Sequence, residues 1–202
     1  MKKVFLLIVS CIFVFSAYSQ DSEVEAVNKL TKAEQFMKDN SFIKEIEFYK
    51  ETEQGIKMYA KLFVDLISGE KLAALEFHPS LLVKALSNGL AQPLGYLDME
   101  QVDDLLLALE TIQKEANDKG KKDKFTITYT APGGVDILYV TDYPGQITPI
   151  VLLRRKYYST DAYGRTTAMY SEAASILPIK GLPKFISSVR EAQMIANQSL
   201  GE

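Results

Sequence analysis

Arg154-Arg155-Lys156-Tyr157-Tyr158, with Arg165 beyond the next turn, is the densest set of side chains here that could recognise a ligand. Guanidinium groups fork onto carboxylates and phosphates, and cations sit over aromatic faces. A strand carrying both can hold an anionic glycan, another polyanion or an envelope protein partner. Alternation sends Arg155 and Tyr157 to one face, and Arg154, Lys156 and Tyr158 to the other. The simpler reading, which the sequence favours, is an exposed strand end guarded by charge against edge pairing.

Other chemistries find less support. His78 is the sole histidine, and it ends an apolar stretch just before Pro79. Zinc and copper sites recruit several His or Cys ligands, and a Ser–His–acid triad would have to centre on this one residue with no Gly-x-Ser-x-Gly elbow to present the serine. Asp65 and Glu76 fall on one face of an expected hairpin, beside Phe63. They are the best candidates for a hydrolase that separates the pKa values of two acids. A solvated sheet face is the plainer account of them. Asp103 and Asp104 are adjacent on a helix and point in different directions. Pro132-Gly133-Gly134 leads into a strand and not into a helix N-terminus that could hold phosphate, and no calcium-loop spacing occurs. No residue is assigned a catalytic, cofactor or metal-binding role.

Cys11 is the only cysteine. Lys2 and Lys3 precede the apolar run Val4 to Phe15, and Ala17-Tyr18-Ser19 supplies small residues before Gln20. Charge, apolar core and small-residue exit in that order describe a secretory signal over residues 1–19, cut near Ser19/Gln20. The run is short of the roughly 20 apolar residues of a transmembrane helix. Ile8-Val9-Ser10-Cys11 offers the alternative of a lipoprotein box. On the favoured reading the mature chain carries no thiol and no membrane span. It also loses two of its 23 basic side chains, which takes the net charge from −3 to −5. That mild acidity speaks against a nucleic-acid binder.

The elements that must position these residues follow from periodicity. Val24, Val27, Leu30 and Phe36 suggest an N-terminal helical segment within residues 20–40. A single domain over 41–202 follows, with a division into two strand–strand–helix halves, 41–118 and 125–198, as a further option. Phe42, Lys44, Ile46 and Phe48 line one side of a strand. A two-residue Gly69-Glu70 turn would pair Leu62 with Phe77, Val64 with Leu75 and Leu66 with Ala73, which sorts the apolar residues onto one face. A short helix is expected within 80–88. Asp98 and Gln101 read as a capping box for a helix over 98–118, striped by Met99, Val102, Leu105, Leu106, Leu109 and Ile112. A hairpin around Pro132-Gly133-Gly134 closes with a two- or three-residue loop. Strands follow at Ile147–Tyr158 and Arg165–Glu172. Phe185, Val189 and Met194 then mark a closing helix to about Asn197.

Tyr96-Leu97-Asp98, Glu100, Gln101, Val102, Asp103, Leu105, Ala108 and Leu109 resemble a pattern of uncharacterised exported proteins of Bacteroidetes-type Gram-negative bacteria, with Gln101 standing where that pattern has Glu. The Lys-Lys start and Tyr-Ser-Gln exit are similar to the same group. The resemblance covers about 15 residues of the main helix and implies export without implying an activity.

Hairpins dominate and βαβ alternation is absent. The expected fold is therefore α+β: an antiparallel sheet with the main helix and the C-terminal helix packed on one face. The function that fits best is a non-enzymatic binding module of the periplasm or cell surface. A small carboxylate-based hydrolase and an envelope assembly protein recognised through its N-terminal helix are the alternatives.

Overall fold

A computed structural model describes residues 29–53, 56–78, 94–118, 124–142, 150–170 and 174–201. The expected signal sequence, the 80–88 helix, and Ile147–Pro149 and Ser171–Glu172 of the expected strands lie outside those residues.

The fold is α+β, built on two antiparallel sheets. In the first, β1 (Ile43–Glu53), β2 (Ile56–Asp65), β3 (Lys71–His78) and β4 (Gly95–Asp98) lie in sequence order. In the second, β5 (Thr126–Thr130), β6 (Val135–Val140), β7 (Ile150–Thr160) and β8 (Thr166–Tyr170) do the same, and β9 (Ser175–Pro178) also pairs with β7. Three helices accompany them: α1 (Lys32–Asp39), α2 (Val102–Asn117) and α3 (Leu182–Leu200).

The β2–β3 hairpin forms with the anticipated sorting of faces but in a different register. Leu62 faces Ala73 and not Phe77; Met58 takes Phe77. The cause is Asp65. Its carboxylate accepts from the Ile67 and Ser68 amides at 3.1 and 3.0 Å and from the Ser68 hydroxyl at 2.5 Å. This cap stabilises a four-residue loop, Leu66–Gly69, closed by the Asp65 amide donating to Glu70 O at 3.0 Å. An even shift in register keeps each side chain on its face, so the apolar pattern alone could not distinguish the two pairings.

One face of this sheet, with Met58, Ala60, Leu75, Phe77 and Leu97, enters the main core. The other does not face water throughout, as a mixed sequence suggests. Helix α1 covers one end of it, setting Ala33 and Phe36 against Phe63 and Ala74. Thr31 caps α1 in a reciprocal box with Glu34. Asp98, at the end of β4, accepts from the Lys32 and Ala33 amides at 2.8 and 3.1 Å and so holds two more first-turn donors.

Asp98 also opens the main helix. Its amide donates to Gln101 Oε1 at 3.1 Å around a 3-10 turn, Met99–Gln101, before α2 begins. Val102, Leu105, Leu106, Leu109 and Ile112 are buried, as the stripe requires. The same layout recurs 80 residues later. Strand β9, the 3-10 turn Ile179–Gly181 and α3 bury Leu177, Leu182, Phe185, Ile186, Val189 and Ala192. Periodicity does not announce β9, because four residues carry too little alternation. Pro183 sits in the first turn of α3, where a missing N–H costs nothing. Helix α3 packs against β1, β2 and β3 as well as α2. One apolar cluster runs from Ile56 to Ala192 through both sheets.

Candidate functional site

Strand β7 is long enough to serve two neighbourhoods. Ile150–Arg155 pair with β6, and Ile150–Leu153 also pair with β9. Lys156–Thr160 pair with β8; the Lys156 amide still donates to Gly134 O on the β6 side at 2.7 Å, and beyond it, among the described residues, the two strands continue past the sheet as a two-stranded ribbon. Its tip is a three-residue loop. The Asp161 amide donates to Arg165 O, and the Gly164 amide to Asp161 O, both at 3.0 Å, with Gly164 at φ 76°. The Asp161 carboxylate accepts from the Tyr163 and Arg165 amides at 2.9 and 3.0 Å. Ala131–Val135 closes the β5–β6 hairpin by the same pair of backbone bonds, which settles that loop at three residues.

The ribbon places the basic and aromatic residues of the sequence cluster. Arg154, Lys156 and Tyr158 share one face, and Arg155 and Tyr157 the other, but they do not form one basic surface. Arg154 Nε lies 2.7 Å from Asp136 Oδ2, and its guanidinium stacks 3.5 Å from the Tyr170 ring centre. Asp136 is fully buried and also accepts from Thr130 Oγ1 at 2.6 Å. Arg155 reaches Glu34 of α1 at 3.2 Å. Lys156 is buried, with its ammonium 5.2 Å from the Tyr158 ring centre. Arg165 Nε is 2.7 Å from Asp161 Oδ2, beside Tyr163. Each of the three guanidinium groups faces a carboxylate, so the net field toward an anion is small. Exposed surface comes instead from Tyr157, Tyr163, Met169 and Tyr170, with Tyr163 85% accessible at the tip. The charges expected to guard a sheet edge sit on β7, where Arg154 and Arg155 pair with β6 and Lys156 with β8. The outer strand β8, Thr-Thr-Ala-Met-Tyr, carries no charge.

The two carboxylates considered for hydrolysis are apart. Asp65 is committed to its loop, and the hydroxyl and amide bonds hold its pKa below the ordinary value. Glu76 sits six pairs further along the sheet, opposite Tyr59 and Tyr96. Its Oε2 is 2.6 Å from Lys61 Nζ and 2.8 Å from His78 Nε2. Burial pushes the Glu76 carboxyl up, but the contacts with His78, Lys61 and Tyr96 outweigh it and hold the pKa at about 2. Lys61 is desolvated too, yet Glu45 at 2.5 Å and Glu76 together raise its pKa. Burial and the neighbouring Glu76 push the Tyr96 phenol above its usual range. His78 meets Tyr59 edge-on, ring centres 5.1 Å apart. The cluster is an ion-paired, hydrogen-bonded network on the sheet face. A general acid needs a carboxyl with a raised pKa, and Glu76 has the opposite. Sequence reading paired Glu76 with the wrong acid because its partners depend on the β2–β3 and β3–β4 registers.

Among the described residues no three His, Cys, Asp or Glu side chains converge as metal ligands, and no helix is long and apolar enough to cross a membrane. Asp103 and Glu110 of α2 reach α3 through Gln193 and Arg190. No protein-family model matches the chain, and a search of curated proteins finds no relative.

Proposed function

We propose that this chain is a non-enzymatic binding module, exported to the periplasm or cell surface, and that the β7–β8 ribbon is its contact surface. The observation that carries this reading is the ribbon itself. A two-stranded hairpin without a core beneath it is marginal in water, yet this one displays tyrosines and a methionine on both faces. Aromatic and Met side chains are enriched in protein interfaces, and Tyr supplies much contact area for few lost rotamers. Carboxylates opposite Arg154, Arg155 and Arg165 favour a protein partner over an anionic glycan. Recognition through the N-terminal helix is less favoured, since the Ala33 and Phe36 face of α1 is already buried. Export rests on the Lys2–Ser19 pattern.

The test is capture from envelope extract by the wild-type chain and by a Tyr157→Ser/Tyr163→Ser variant. The expected result is a partner held by the first and lost by the second at equal melting temperature. Turnover in a glycan or peptide substrate screen, with no partner recovered, would replace this reading with the hydrolase. Intact mass of the exported form tests the address: a chain starting at Gln20 supports signal cleavage, and a diacylglyceryl adduct on Cys11 supports lipidation.

A further inference from the structure

Among the described residues no strand pairs with the outer edge of β8, and that edge has a specific hydrogen-bonding row. Antiparallel pairs alternate between those that exchange backbone bonds and those whose N–H and C=O groups point away. The bonded Asp161–Arg165 pair sets the phase. Thr160–Thr166 is then a non-bonded pair, consistent with their hydroxyls meeting at 3.0 Å. Counting on, Ser159–Thr167 and Tyr157–Met169 are bonded, while Thr166, Ala168 and Tyr170 turn their amides and carbonyls outward. That is an open template of three residues, and no charge interrupts it.

The edges at β1, β4 and β5 are managed. Strand β1 carries Lys44, Glu45 and Glu47, and its register breaks between Glu47 and Tyr49. The four-residue β4 lies beside α1, and β5 runs beside α2. Charge, irregularity, shortness and cover are the usual defences of an edge strand, and β8 has none of them except shortness.

We propose that β8 pairs with β8 of a second copy of this chain, antiparallel about a twofold axis at Ala168, so that the two second sheets become continuous. This rests on the ribbon being the contact surface and names its partner. The register is self-complementary. Ala168 meets Ala168 of the other copy, and Thr166 meets Tyr170 in both directions. Every outward group of those three residues then finds a partner, as a twofold interface requires. No charged side chain faces another across the seam, because the strand has none. On one face Met169, which lies opposite Tyr157 within its own ribbon, falls beside Thr167 of the other copy. The exposed surface of both ribbons, Tyr157 at 40% and Met169 at 43%, joins into one patch. An extended segment of another protein could use the same row, but it would have to supply an uncharged strand from elsewhere. This chain carries one.

Sedimentation equilibrium of the purified chain tests the pairing. Twice the chain mass is expected at high concentration, dissociating on dilution. Ala168→Pro removes an outward N–H and no bond of the β7–β8 ladder, and Met169→Lys brings like charges together at the seam; both are expected to sediment at the single-chain mass. In a Cys11→Ser chain, Ala168→Cys should form a covalent dimer on mild oxidation, since paired Cα atoms about 5.5 Å apart suit a disulfide, whereas Tyr163→Cys should not. Should Ala168→Pro fail to fold, Met169→Lys and the cross-link still decide. A wild-type chain that stays at single-chain mass throughout, or a dimer that persists in Met169→Lys without the Ala168→Cys cross-link, overturns the proposal. Loss of envelope-protein capture on Tyr157→Ser/Tyr163→Ser would then show that the ribbon binds another protein, leaving the broader reading intact.

Discussion

Gly133 lies directly against Thr31, so closely that a Cβ at 133 would overlap the Thr31 methyl group. The β5–β6 hairpin loop thus rests on the residue that caps α1, and the second sheet props the helix covering the first. Gly133 also has φ of +82°. Gly133→Ala should therefore destabilise more than Gly164→Ala, whose φ is similar but whose Cβ would meet open space. The left-handed backbone alone costs about 1–2 kcal/mol in either variant. The excess at 133 should shrink when Thr31→Ser removes the methyl and keeps the capping hydroxyl. Urea denaturation of the three variants checks this. Equal losses at 133 and 164 would mean that the loop and the helix cap are not in contact.

Asp136 is the most deeply buried charge described and is balanced by Arg154. Arg154→Met leaves that carboxylate without its cation and is expected to lower stability by roughly 3 kcal/mol. Arg165→Met, at an exposed ion pair, should cost less than about 1 kcal/mol. Because Arg154 also stacks on Tyr170, its loss should speed hydrogen exchange along β8. Unchanged exchange there would detach the ribbon's order from the Asp136 pair.

Glu76 gives stability a defined dependence on pH. Its folded pKa, about 2, lies below the ordinary value of 4.5. The stabilisation is thus fully present above about pH 4.5 and drains away as pH falls toward the folded value. The term is on the order of 2–3 kcal/mol. Asp65 and Asp161 are also lowered, so wild-type titration alone mixes contributions. The difference between wild type and Glu76→Gln isolates the effect. It should be constant near neutrality and fall steadily through the acid range, and a pH-independent difference would contradict the network.

Helix α2 offers a contrast between its faces. Leu109 is fully buried and Leu107 is 65% exposed. Leu109→Ala should cost about 3 kcal/mol through lost packing and a residual cavity. Leu107→Ala should stay within about 0.5 kcal/mol of wild type. Thermal and urea melts of the pair read out the orientation of the helix directly.

What could be read in advance depended on how local the determining interaction was. The α2 stripe and its Asp98–Gln101 start are set within a few residues, and both emerge from spacing alone. The alternation of Arg154 through Tyr158 is likewise a property of one strand. The β2–β3 pairing was misread because Asp65 acts through its side chain on the loop, and hydrophobic sorting tolerates an even slip. The partners of Arg154 and Arg155 lie 18 and 121 residues away, and those of Glu76 include Lys61 and Tyr96 on neighbouring strands, so only assembled strands bring them together. Exposure of the β8 edge is a property of topology, and no feature of Thr-Thr-Ala-Met-Tyr by itself announces it.

Phe185 of α3 packs against Phe77, and Ala196 against Leu62 and Ala73. The interior side of the first sheet, made from residues 43–98, is therefore closed by a helix far along the chain, residues 182–200. A nascent polypeptide emerging from the ribosome cannot finish that half until residues 182–200 arrive. Its core is completed only by contacts distant in sequence, which form later than the local β2–β3 and β5–β6 hairpins.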